Sequence, residues 1–167
     1  MGTSQDIYDE YRKQMQKGIV VEAYQGILNY LNELRIYFTN KYPDHFVSSS
    51  LYQGAMNLSF FAFNPTSIKA HGLKIAIVFL HKEFRFEVWL VGTNKGNQEK
   101  YWAMLKEDRW SKYDLVKDIK GADAIACHII SQDPNFTDPI ELTNQIEGEA
   151  LKFITTIEDH LATRTNQ

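Results

Sequence analysis

Cysteine is almost missing from this chain: Cys127 is the only one in 167 residues. That excludes an internal disulfide and fits a reducing, cytoplasmic compartment. Proline is scarce as well, and each of the four, Pro43, Pro65, Pro134 and Pro139, sits where a periodic segment ends or begins. No apolar run is long enough to cross a bilayer, and the polar amino end does not read as a signal peptide, so no membrane partner is expected. There is no Lys/Arg run, and the net charge is −3, which gives no general attraction to nucleic acid. The five histidines are scattered without metal-ligand spacing, so neither metal nor cofactor is expected. The glycines of Gly92-Thr93-Asn94-Lys95-Gly96 lack the spacing of a phosphate-binding loop.

What is present is apolar and aromatic. Ten Phe, nine Tyr and three Trp stand in a chain that is 44% apolar and 23% charged, enough for one domain over residues 1–167 with a sizeable core. The most apolar stretch is Leu73 to Lys95. Ile75 to Leu80 is unbroken and rich in β-branched residues, as in a strand buried on both faces. After Lys82-Glu83 the pattern alternates. Phe86, Val88 and Leu90 point one way; Arg85, Glu87, Trp89 and Val91 point the other. So few residues separate the runs that they must form an antiparallel hairpin.

Around this hairpin the chain divides readily. Ser4 caps a first helix carrying Ile7, Tyr11 and Met15, which Gly18 ends. A second helix follows, with an apolar stripe from Val20 to Phe38 that stops at Tyr42-Pro43, and the two pack as an antiparallel pair. A first strand spans about Tyr52 to Phe63, with Met56, Leu58, Phe60 and Ala62 on one side and Asn57, Ser59, Phe61 and Phe63 on a mixed, partly wet side. Asn97 caps a third helix bearing Tyr101, Trp102 and Leu105; Asp108 to Lys120 is irregular; Ala122 to Ile130 is a fourth strand reached by a parallel crossover. Asp138, Pro139 and Glu141 make the clearest helix start, and Ile146, Ala150, Phe153, Ile157 and Leu161 form that helix's buried stripe. Residues 163–167 should fray. The expected fold class is α+β, in the order α-α-β-β-β-α-β-α. Its sheet is mixed and four-stranded, a three-stranded antiparallel meander plus one crossover strand.

The segments FRFEVWLVGTNK and EKYWAML, with LYQGAMNLSFFAF and LKIAIVFLHKEF, resemble a family of uncharacterised bacterial proteins over about Tyr24 to Leu161. That resemblance implies no activity. A looser, topological resemblance is to restriction-endonuclease-like domains, which join an acid on one core strand to a Glu-x-Lys triplet on the next. Glu87 falls where the Glu belongs, but Trp89 replaces the Lys, and Leu73 to His81 carries no acid. The resemblance therefore implies a fold without the chemistry.

A candidate ligand site can still be composed. Arg85, Glu87 and Trp89 share a sheet face, Asn94 and Lys95 lie just past its end, Tyr52, Gln53 and Asn57 come from the neighbouring strand, and Trp102 from the next helix. Convergent polar groups with aromatic walls suit a small ligand or a protein partner. The rival readings are a degenerate nuclease-like domain and a hydrolase using Glu87 with His81 or Lys95 as an acid–base pair. Cys127 has no base on its own strand face, since His128 points the other way.

Overall fold

A computed structural model describes residues 3–165. It is a mixed helix-and-sheet domain: α1 (Ser4–Lys17), α2 (Ile19–Lys41), β1 (Phe46–Val47), β2 (Leu58–Asn64), α3 (Thr66–Ala70), β3 (Leu73–Leu80), β4 (Arg85–Gly92), α4 (Lys95–Glu107), β5 (Asp114–Leu115), β6 (Ala126–Gln132) and α5 (Pro139–Thr165). The sheet is open and six-stranded in the order β1-β2-β3-β4-β6-β5, and every pairing is antiparallel.

The expected four-stranded mixed sheet is corrected by two short edge strands and by the direction of β6. Two-residue β1 and β5 are too brief to show any periodicity. Chain leaving β4 at Gly92 runs out along α4 and returns through β5. It then enters β6 beside the end of β4, where Ala126 faces Leu90. The return leg makes β6 antiparallel, whereas a single crossover helix would have made it parallel.

The hairpin stands as its alternation required, with Val78 opposite Glu87 and Ala76 opposite Trp89. Helices cover one face of the sheet. Leu31, Leu34 and Phe38 of α2, Ile68 of α3, Tyr101 and Leu105 of α4, and Ile146, Phe153 and Ile157 of α5 join Phe61, Phe63, Ile75, Ile77, Phe79, Phe86 and Val88 in one core. Phe38 alone packs its ring against both Phe61 and Phe63. The two sides of β2 are therefore the reverse of expectation. Ser59, Phe61 and Phe63 are fully buried, and Leu58, Phe60 and Ala62 lie on the uncovered side. Both sides hold bulky apolar residues, so only the position of the helices distinguishes them.

Local boundaries also moved. Strand β2 starts at Leu58, because Met56 takes a positive φ of 63° and the preceding chain curls back so that Tyr52 bridges Phe60. Thr3, not Ser4, caps α1. Asn94, not Asn97, caps α4, its side chain accepting from the Asn97 N–H at 2.8 Å. Gly18, at φ 77°, ends α1 and opens α2 in a left-handed conformation that glycine adopts without strain. Yet α1 buries none of its residues and packs mainly on α2, so the expected antiparallel pair is a loose arm.

The start of α5 stands as read, with the Glu141 N–H donating to the Asp138 side chain at 3.2 Å. Its carboxyl end is not frayed through Thr165: Arg164 donates to Asp108 at 2.7 and 2.9 Å, and His160 reaches the same carboxylate at 2.8 Å. The last two positions of the expected tail, 166 and 167, lie outside the described residues. A second clasp joins α2 to α5. Buried Glu147 receives the Tyr37 hydroxyl at 2.8 Å, the Lys41 ammonium at 2.7 Å and the Tyr42 hydroxyl. Burial works against a charge on Glu147, but donation from Lys41, Tyr42 and Tyr37 outweighs it and holds the carboxyl below its ordinary range.

Candidate functional site

The helix-free face of the sheet is where the chemistry gathers. Its rows follow from the register. Ala62, Ala76, Trp89 and Cys127 lie side by side across β2, β3, β4 and β6, and the next row is Phe60, Val78, Glu87 and Ile129. Two alanines in succession leave a depression, and the larger side chains around them become its walls. The result is a groove of about 550 Å³ lined by Phe46, Tyr52, Phe60, Trp89 and Val91, with Asn57, Lys74 and Asp123 among its polar groups. This is within the size range of small-molecule sites. Tyr52 and Phe60 pack as a tilted pair with centroids 4.8 Å apart, which fixes one wall.

Trp89 forms the opposite wall, and its orientation is held from below. Glu87 is only 4% exposed. One of its oxygens accepts from Arg85 Nε at 2.8 Å and lies 2.6 Å from Arg85 Nη2; the other accepts from Trp89 Nε1–H at 2.6 Å. The i, i+2 spacing on a strand puts all three on one face, as the sequence indicated. The helices lie on the far side of the sheet and do not enclose them. The strand neighbours and the two partners themselves bury the carboxylate.

Of the residues proposed from the sequence, Tyr52, Asn57 and Trp89 line the groove, and Arg85 and Glu87 support Trp89. Gln53 does not join them. Its backbone carbonyl accepts from Ser59 Oγ at 2.7 Å, and it borders a separate concavity beside α2. Asn94 and Lys95 open α4, and Trp102 donates from that helix to the Val116 carbonyl at 2.8 Å while packing on the core. β4 has β3 and β6 as neighbours, so β2 is not adjacent to it; Tyr52 and Asn57 reach the groove across β3.

Phe46, Phe60, Lys74 and Asp123 are among the groove residues that the sequence reading did not assign to the site. A signal existed for Lys74, which is two residues from Ala76 and so shares its sheet face. Lys74 forms no ion pair among the described residues, although it lies beside an aromatic-walled concavity. Cys127 also faces this side, opposite Trp89. Burial raises its thiol pKa, and the negative charge of Glu87 adds to the effect, so it is a poor thiolate.

The histidines take separate partners. His81 approaches the buried Ser59 hydroxyl at 2.9 Å and stacks near Tyr24; His128 meets Glu149 at 2.9 Å on the helix side. Burial lowers the pKa of His81. The Ser59–His81 contact has the outline of a nucleophile and its base, but Ser59 is inaccessible and its hydroxyl already donates to Gln53.

No curated protein and no solved structure matches this chain. One family profile does, over residues 4–161, and by that match the chain belongs to a family described only as a domain of unknown function, DUF7000.

Proposed function

We propose that this is a non-catalytic binding domain whose helix-free sheet face holds a small planar ligand, stacked on Trp89 and carrying an anionic group toward Lys74. The observation that carries the reading is the fixed Trp89: its indole N–H is anchored by buried Glu87, and its side chain borders a groove floored by Ala62 and Ala76. A preorganised aromatic wall loses little freedom on binding. An unpaired ammonium at the edge of an apolar groove favours a carboxylate or phosphate over a neutral ligand.

Glu87 supports binding over acid–base chemistry. Each of its oxygens already receives a donor, so it acts as a brace for Trp89. The hydrolase reading needs Glu87 free to take a proton. The test is a ligand-observed NMR screen of planar carboxylates and mononucleotides against the intact protein. Hits should compete with one another, and both Trp89→Ala and Lys74→Ala should weaken them by on the order of tenfold. Binding that survives both substitutions, or a screen with no hits, refutes the groove as the site.

A further inference from the structure

We infer that α1 is a dimerisation arm, and that its occupant is the α1 of a second copy of this chain, packed antiparallel. The structure leaves the outer face of this helix uncovered. Ile7 is 69% exposed and Tyr11 61%, and α1 buries no residue of its own. Together with Met15, Val20 and Met56 they border a trough of about 500 Å³ between α1, the start of α2 and the Met56 loop. A contiguous apolar patch of this kind on a charged helix marks an interaction surface.

The charge pattern identifies the partner. At about 100° per residue, Ile7, Tyr11 and Gln14 lie on one face of α1, while Asp6, Glu10, Lys13 and Lys17 line a single flank of that face. The amino-terminal half of the flank is acidic and the carboxy-terminal half basic. In an antiparallel pair related by a two-fold axis, like flanks meet. An axis midway between Tyr11 and Arg12 sets Asp6 against Lys17 and Glu10 against Lys13, and repeats both pairs by symmetry. A parallel pair would instead set this flank against the opposite one, which carries Ser4, Tyr8 and Met15, and leave its charges without partners. The flank is thus complementary to itself in one orientation.

Sedimentation equilibrium of the full chain tests this. Wild type should show about twice the monomer mass of 19.4 kDa. The variant Asp6→Lys/Glu10→Lys makes the flank wholly basic, and Lys13→Glu/Lys17→Glu makes it wholly acidic. Each alone should be monomeric, and an equimolar mixture should recover the dimer. These side chains are exposed and the core is untouched, so circular dichroism should match wild type. A wild type that stays monomeric at roughly 200 μM, a concentration that populates even weak dimers, overturns the proposal. So does a dimer indifferent to both variants, or a mixture that fails to reassociate.

Discussion

Removing Arg85 examines the Arg85–Glu87–Trp89 brace most directly. Glu87 is buried, while the Arg85 side chain is 27% exposed at its outer edge. At an effective dielectric of about 20, two unit charges about 4 Å apart attract by roughly 4 kcal/mol, and the partial exposure of Arg85 screens part of this. Arg85→Ala leaves the carboxylate with Trp89 Nε1 as its one remaining side-chain donor. The expected cost is about 2–3 kcal/mol, at the low end for a broken buried pair. With a urea m-value of about 2 kcal/mol/M, that is a fall of roughly 1 M in the unfolding midpoint. Glu87→Gln keeps an acceptor for one donor and should cost less, about 1–2 kcal/mol. The double variant Arg85→Met/Glu87→Leu removes the charges together and should unfold within about 1 kcal/mol of wild type, since an apolar replacement avoids both desolvation penalties. Equilibrium urea unfolding, followed by circular dichroism, measures all three. Two near-neutral single variants would show that the brace is solvated and that Trp89 is not held, and the reasoning for the groove would go with it.

Val78→Asp should destabilise by more than about 3 kcal/mol or prevent folding, because Val78 is 0% exposed at mid-sheet; an unchanged melting temperature would refute its placement. The Glu147 clasp sets two pH limits. Its folded carboxyl pKa lies below the unfolded value, so its contribution is present above the unfolded pKa and is lost as pH falls through the folded one. Tyr42 is pushed up to about 12 by burial and then by its bond to Glu147, so its contribution is full below the unfolded value near 10 and lost as pH rises toward 12. Glu147→Gln should flatten the acid limb and lower the Tyr42 pKa, read by unfolding against pH and by ultraviolet phenolate titration; unchanged curves would count against the clasp. Asp108→Asn should loosen the end of α5 by taking charge from the Arg164 and His160 contacts, seen as faster amide exchange over residues 160–165; unaltered protection would show that packing alone holds it.

The sequence by itself determined the elements whose periodicity is long and unambiguous. The β3–β4 hairpin follows from eight alternating residues and a turn too short for any other connection. The buried stripe of α5 follows from Ile146, Ala150, Phe153, Ile157 and Leu161, and its start from Asp138 and Pro139. Because i, i+2 spacing is local, the Arg85–Glu87–Trp89 row was legible too. Tertiary structure decided the rest. Sheet direction at β6 depends on a two-residue strand that carries no pattern of its own. The covered side of β2 depends on where α2 and α5 lie, because Phe60 and Phe61 are equally apolar. Asn94, Lys95 and Trp102 do not line the groove, because they belong to α4 or its cap, and that helix packs on the covered core. A groove is a property of what adjacent strands omit, here Ala62 and Ala76 set side by side by register, and that juxtaposition exists only once the strands have paired.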